Sequence, residues 1–447
     1  MDLMRGAHLP FLVLVAATCG GDKTNHLADA PPDMEGVDGP DSGLVTLTVT
    51  VAGTPNPNVR VYFQNADSSL VKMAMTDANG VASAVMDTGG FVTAIEPDLV
   101  AAPAFGLATQ HVATFAGVKP GDFLVLATPT AQPLDFQVIA PLDTGANTYF
   151  LWTNCGDSTL SGMGSGSGTS PSAIELTGCA DTSVDMLVET RDATGAPLHG
   201  LFQTVVVTAG QLTTLTNNYN PMQATAMTYE NVPAGTAAIN VSQTLATARG
   251  RLDDEVATAT VTGTTASATL PQHAVVDATA ITLSSLPAAA GTFGAHTVLD
   301  WAPYATTYDL DFGTKLLGTF TGQPTFDVAS HAVSWVEAPG AVADFSLTSV
   351  SAFRSAAPSQ SWEWRIASPT HAGSGAGSFV TSYPALPAPE DTFNFQTADN
   401  PSVIDMVTAK VPGGYDSVRA KLLASPNGPF DFVTGANGQI VFQETSE

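Results

Sequence analysis

Along most of this chain apolar residues alternate with threonine, serine and other small residues, and a period of two admits strands and little else. Residues 44–53, LVTLTVTVAG, set Leu47, Val49 and Val51 on one side with threonines between them. The same pattern returns in QVIAPL, NTYFLW, SVDMLVET, GLFQTVVVTAG, TVLDWAPYATTYDLDFG, HAVSWVEAPG, FSLTSVSAF and SWEWRIASP. Turn-forming residues punctuate these runs roughly every 8 to 12 positions, the rhythm of stacked antiparallel sheets. Asp77-Ala78-Asn79-Gly80, Lys119-Pro120-Gly121-Asp122 and Asp192-Ala193-Thr194-Gly195 supply residues that tolerate positive φ. ATATVTGTTASATL reads as a hairpin-like pair, and Gly435-Ala436-Asn437-Gly438 as the turn of a last hairpin between DFVT and QIVF. Helical periodicity is nearly absent, and no repeat of fixed period points to a solenoid or propeller. The fold class expected is all-β.

Composition supports this and narrows the partners. Hydrophobic residues make up 44% of the 447, enough for real cores. Charged residues are only 12%, about half the usual share, so the surface must be covered by Thr, Ser, Ala, Gly and Asn. With 41 acidic and 14 basic side chains, the net charge of -27 repels a phosphate backbone. Nucleic acid is therefore excluded as a partner, while divalent cations and basic surfaces remain compatible.

Residues 9–22, LPFLVLVAATCGGD, concern location. The apolar run is far shorter than the roughly 17 to 25 residues of a membrane-spanning helix. Preceded by Arg5 and followed by small residues, it reads as an export signal. A start at Met4 would leave a leader without Asp2. Ala16, Ala17, Thr18 and Cys19 resemble the lipobox of bacterial lipoproteins, with Thr18 where the family has Gly, Ala or Ser and Ala16 where it has Leu. The resemblance implies cleavage before Cys19, its acylation, and anchorage in a lipid bilayer. Gly20 in place of Asp implies, by likeness to Gram-negative lipoprotein sorting, the outer membrane. An ordinary secretory signal cleaved nearby is the alternative. Residues 19–43 carry Pro31, Pro32, Pro40 and repeated acids with almost nothing apolar, so they are expected to stay unfolded as a stalk. Such a coil would hold the first domain about 25 to 30 Å from the membrane.

Three cysteines in an exported chain leave one to explain. Acylation of Cys19 removes it and leaves Cys155 and Cys179 free to pair in an oxidising compartment. The loop so closed contains the run SGMGSGSGTS, expected to be a flexible loop. Closing it is worth about 3 kcal/mol in the chain-entropy picture. Two buried thiols are the alternative.

The order of strand, GTPNPNVRVYF, TDANG and GGFVTAI resembles the carboxypeptidase-regulatory-like and bacterial Ig-like β-sandwich families over about fifty residues. What the resemblance implies is a spacer or adhesive module with no active site. The expected organisation is a signal peptide at 1–18, an acidic Pro/Gly linker at 19–43, an Ig-like sandwich at 44–133, a β-rich domain with the disulfide loop at 134–275, and a C-terminal β-rich domain at 276–447.

Motifs of chemistry are few. The glycines at 162–168 lack the following Lys-Ser/Thr of a P-loop and the spacing of a dinucleotide fingerprint. No G-x-S-x-G surrounds a serine, although triad members need not be sequence neighbours. HExxH, CxxC and EF-hand patterns are missing, and the eight histidines are dispersed. Asp309 and Asp311 share one face of a strand with Asp300 nearby in sequence, hard oxygen ligands that make weak calcium candidates. Asp253-Asp254-Glu255 is a second acidic cluster. Trp362 and Trp364 share a face, with Glu363 and Arg365 on the other. Two coplanar indoles could stack on sugar rings, but Ile366 on the same face argues for a core strand, and Trp301 and Trp335 are likewise expected in cores.

The reading that results is a non-enzymatic, membrane-anchored surface lipoprotein with an adhesive, structural or display role and no cofactor. Binding of an extracellular glycan or other polymer through Trp362 and Trp364 is a second reading. A secreted hydrolase with an unrecognised site is a third.

Overall fold

The computed structural model describes residues 42–51, 53–96, 109–128, 134–155, 158–166, 171, 173–179, 182–247, 249–252, 256–272, 279–288, 293–355, 359–374, 377–423, 433 and 437–446. Among these the chain forms thirty-two strands, three 3-10 turns and one α-helix, Gly414–Val418. The all-β class is the class observed. The expected signal peptide, Cys19, nearly all of the acidic linker and the Asp253-Asp254-Glu255 cluster lie outside the described residues.

The first module is a two-layer sandwich. Gly43–Val51 pairs antiparallel with Val81–Met86 and parallel with Phe123–Thr128. Its alternate residues Val45, Leu47 and Val49 are fully buried against Val61, Phe63, Val92 and Phe115 of the facing sheet. The Asp77–Gly80 turn forms as its residues demand: the Asp77 carboxylate accepts the N–H groups of Asn79 at 2.8 Å and Val81 at 3.0 Å. Gly80 has φ +71°, and a Cβ there would lie 2.3 Å from the Val49 carbonyl oxygen. The strands on either side, Leu70–Met75 and Val81–Met86, pair with different partners. The turn is thus a corner between sheets, not the tip of a hairpin.

The facing sheet does not end with the module. Thr109–Val118 pairs antiparallel with Gly90–Glu96 on one edge and parallel with Gln360–Pro369 on the other. From there a single sheet of sixteen strands runs on through Phe345–Arg354, Ser402–Lys410, Gly438–Ser446, Ala295–Pro303, Thr279–Leu286 and Ala238–Thr247. It continues through Val256–Thr262, Thr265–Gln272 and Gln223–Glu230 to Thr307–Asp311. The boundary expected at 275/276 falls inside this sheet, because Ala238–Thr247 pairs with Thr279–Leu286 over seven registered positions. Alternation tells which face of a strand is buried, but not which strand lies beside it. Gly438–Ser446, the second arm of the last expected hairpin, is flanked by Ala295–Pro303 and, from Val441 onward, Ser402–Lys410. DFVT, apart from Val433, lies outside the described residues. The hairpin of Val256–Thr262 and Thr265–Gln272 forms as expected, turning at Gly263 with φ +66°.

Residues 134–221 fold as a second sandwich with its own core, packed on the long sheet where Leu187, Trp152 and Phe202 meet Leu245, Leu252 and Ala280. One sheet carries Ser158–Ser165, Thr148–Cys155, Ser183–Arg191, Pro197–Val206 and Asn220–Pro221; the other carries Ile174–Cys179, Leu134–Ile139 and Leu212–Thr214. Tyr149, Leu151, Met186, Val188 and Leu201 bury against Phe136, Val138, Ile174 and Leu176. The expected Asp192–Gly195 turn closes the hairpin of Ser183–Arg191 and Pro197–Val206, with Asp192 accepting the N–H of Thr194 at 2.7 Å. The glycine-rich run is not wholly a loop: Gly162 and Gly164 lie in a strand, opposite Leu151 and Tyr149. A Cβ on Gly162 would come within 2.4 Å of Ile174 Cγ2, so glycine is what lets the two sheets approach there.

Polar ties fasten the first module to the last segment. Arg419, in the turn after the short helix, is 3% exposed and binds Asp122 of the first module through Nε at 2.8 Å and Nη2 at 2.7 Å. Tyr415 donates its hydroxyl to the Ala116 carbonyl at 2.7 Å. A fork-to-fork pair in a desolvated seam fixes geometry as well as contributing energy.

Candidate functional site

The two tryptophans singled out by their shared face lie in an enclosed core on the long sheet. Trp362, Trp364 and Ile366 project from Gln360–Pro369 into one core with Tyr62, Ile95 and Val112 of the first module and Trp335, Tyr383, Phe393 and Phe395 of the last. Both indoles are 0% exposed. Phe395 stacks on Trp362 at 5.7 Å and on Trp364 at 5.6 Å, and the Arg354 guanidinium lies 5.1 Å over Trp362. Trp364 Nε1 donates to Thr114 Oγ1 at 2.9 Å, across the seam between modules. The sugar platform is therefore corrected: no ligand reaches rings that are already covered on the face a sugar would use. Trp301 and Trp335 are buried as expected.

The calcium candidates are not brought together. Tyr308 donates to Asp300 Oδ2 at 2.5 Å, and Gln439 donates to Asp300 Oδ1 at 2.6 Å. Tyr308 and Asp309 are successive strand residues and point to opposite faces, so Asp300 lies across the Thr307–Asp311 strand from Asp309 and Asp311. Those two are occupied by Thr228 and by Asn231 with the Gly313 N–H, respectively. Burial pushes the Asp300 carboxyl up, while the Asn231 and Gly313 hydrogen bonds hold Asp311 down. Among the described residues no group of three or more His, Cys, Asp or Glu side chains is arranged to hold a metal.

Two titratable clusters went unread in the sequence. On the face of Gln360–Pro369 opposite the tryptophans, Glu363 accepts from Ser349 Oγ and Arg365 Nε, each at 2.6 Å, with His111 Nδ1 at 3.8 Å. Burial works to raise Glu363, but Arg365 and the Ser349 hydroxyl outweigh it and hold the carboxyl below its ordinary value. The neighbouring strands add Asp405 and Glu444. Burial, then the charge of Asp405, pushes Glu444 up to about 7. Asp405 is itself raised by burial against the pull of Arg365. The parity of Glu363 and Arg365 was legible; the acids that join them come from strands 40 and more residues away in sequence.

In the middle sandwich Asp143 accepts from Thr190 Oγ1 at 2.5 Å and meets His199 Nδ1 at 2.9 Å, while its own N–H donates to Tyr149 Oη at 3.1 Å. Thr190 gives its proton to the carboxylate, not to the imidazole, so the trio lacks the nucleophile-to-base bond of acyl-transfer enzymes. Asp185 likewise accepts from Thr204 and Thr247, each at 2.6 Å, and joins the middle sandwich to the long sheet. Cys179 is fully buried and disulfide-bonded; the Cys155 side chain lies outside the described residues. A shallow depression lined by Asn240, Val241, Ser242, Val256, Ala257, Thr258 and Ser285 has no titratable side chain in its wall.

No family model matches the sequence, and no curated protein matches it. Among solved structures, the chain is similar to the Bacillus anthracis TIE protein at 12% identity and a TM-score of 0.15, over 54% of this chain and 45% of that one. A Streptococcal ancillary pilin matches at 10% identity and a TM-score of 0.13, over 56% of this chain and 92% of that one. The pilus adhesin SpaC from Lactobacillus rhamnosus GG matches at 13% identity and a TM-score of 0.14, over 74% of this chain and 43% of that one. The chain thus spans less than half the length of the first and third. Likenesses this distant carry no argument about what the chain does.

Proposed function

We propose that the chain is an exported, non-enzymatic surface lipoprotein whose β-sheet body serves a structural, adhesive or display role at the outer membrane. One observation carries this reading: the described carboxylates that the sequence offers for chemistry, Asp300, Asp309 and Asp311, are engaged by hydrogen bonds within the fold, and other buried acids are engaged likewise. Asp122 holds Arg419, Asp399 holds Arg354, Asp185 holds Thr204 and Thr247, and Glu337 accepts from Trp335 Nε1. A side chain whose lone pairs are committed to the fold is poorly placed to exchange protons or take up a ligand.

The anchor in this proposal is acylated Cys19, with the acidic linker as a stalk between bilayer and body. Cys155 is the partner of Cys179, since acylation removes the only other cysteine. Among the described residues no helix is long and apolar enough to cross a membrane. Labelled palmitate fed to a Gram-negative host expressing the wild type and Cys19→Ser tests the anchor. Label in the wild type alone is the expected result; label in neither, with both exported, overturns it.

A further inference from the structure

The alternation that buries Val45, Leu47 and Val49 turns Leu44, Thr46 and Thr48 outward. Register then supplies their neighbours: Leu44 stands beside Val85, and Thr46 lies between Ser83 on one side and Phe123 on the other. Leu44 is 54% exposed, Val85 59% and Phe123 73%, the most exposed aromatic among the described residues. Single exposed apolar side chains are ordinary, but large ones that adjoin mark a contact face. Every other outward position on these three strands is Thr, Ser, Val or Ala. The face therefore carries no charge, in a chain with 41 acidic side chains.

This face also lies where the chain enters the fold. Gly43 opens the first strand, directly before Leu44. The Lys119–Asp122 turn closes on that entry, with the Gly121 N–H donating to the Leu44 carbonyl at 2.8 Å, and Phe123 follows the turn.

We propose that, given the acylated Cys19 of the proposed function, this face docks on the bilayer that holds the anchor. Two features select lipid as the occupant. A membrane carrying anionic headgroups has a negative surface potential, so a chain of net charge -27 is repelled wherever its acids face the lipid and can lie down only on an uncharged face. The tether from Cys19 to Gly43 ends at that face. A short flexible tether makes docking an intramolecular event at an effective concentration of roughly millimolar order, so a weak apolar contact suffices. Leu44, Val85 and the Phe123 ring then enter the boundary between headgroups and acyl chains. The stalk sets the reach of the first sandwich, and the apolar face sets which side of it meets the membrane.

The test uses the full acylated chain from a Gram-negative host, reconstituted into phosphatidylethanolamine and phosphatidylglycerol vesicles whose brominated acyl chains quench tryptophan on contact. Phe123→Trp and Val85→Trp each add an indole to the face. Val256→Trp adds one to the long sheet, where Val256 is 74% exposed. All three positions are solvent-facing, so the variants should melt as the wild type does. Measured against the wild type and against unbrominated vesicles, the added emission should be lost at 123 and 85 and kept at 256. Vesicle flotation separates this result from failure of the anchor. A chain that floats while its face indoles are quenched no more than Val256→Trp overturns docking and leaves the anchor standing; a chain that does not float overturns both. Face indoles that are blue-shifted but unquenched, in the acylated chain and in Cys19→Ser alike, would show that the linker or a second copy covers the face, and would also overturn docking.

Discussion

The middle sandwich and the sixteen-stranded sheet are built from the same alternating residues and are held together in different ways. In the sandwich, Thr148–Cys155, Ser158–Ser165, Ser183–Arg191 and Pro197–Val206 lie beside strands near them in sequence and share one core. In the long sheet, Thr109–Val118 lies against Gln360–Pro369, some 250 residues away, and these strands are packed on both faces. Local pairing makes a unit with a core of its own, joined to the long sheet by a small cluster around Leu187 and Leu245; distant pairing makes one body out of the first and last parts of the chain. The difference implies that damage in the sandwich stays local, whereas damage at the seam spreads.

The largest effect should come from Trp364→Ala, which empties an enclosed site spanning both modules. It should cost about 3 to 5 kcal/mol, read by urea unfolding as a shared loss for the first module and the last. Equal damage confined to one of them would break the comparison. Asp122→Ala removes the fork-to-fork partner of buried Arg419 and leaves it Asp416 alone, so it should cost about 2 kcal/mol, below the range for a buried pair broken outright. Asp122→Asn, which keeps one acceptor, should cost less. Cys179→Ser should lower the stability of the middle sandwich by about 2 to 3 kcal/mol and leave the long sheet's transition where it was.

The smallest effect sharpens the account of the acid cluster. Glu444 titrates near 7 in the folded protein, above its ordinary value of 4.5. Between those values the folded chain holds a proton that the unfolded chain has released, so stability is greatest below about 4.5 and falls as pH rises toward 7. Allowing for the partial exposure of the group, Glu444→Gln should remove about 1 to 2 kcal/mol of that fall. Melting temperatures from pH 5 to 8 would show a flatter profile in the variant; an unchanged slope would assign the pH dependence elsewhere.

How much of this was legible depended on distance along the chain. Val45, Leu47 and Val49 declared their buried face by alternation, and Ile366 placed Trp362 and Trp364 in a core. Asp77–Gly80 and Asp192–Gly195 declared their turns by the residues that tolerate them. Neighbours across the sheet were not declared: Gly438–Ser446 carries nothing in its own pattern that selects Ala295–Pro303 and Ser402–Lys410. The separation of Asp300 from Asp309 and Asp311 was likewise hidden, because they sit on strands that do not pair with each other. Gly162 misled in the other direction, since a glycine that permits close sheet packing looks in sequence like one that frees a loop.

Scanning calorimetry on the disulfide-intact chain tests the central claim most directly. If the first module and the long sheet are one body, heating should give two cooperative transitions, one for the middle sandwich and one shared by everything else. Reduction of the disulfide should move only the first of these. A third transition, in which residues 43–128 melt independently of the rest, would contradict the account.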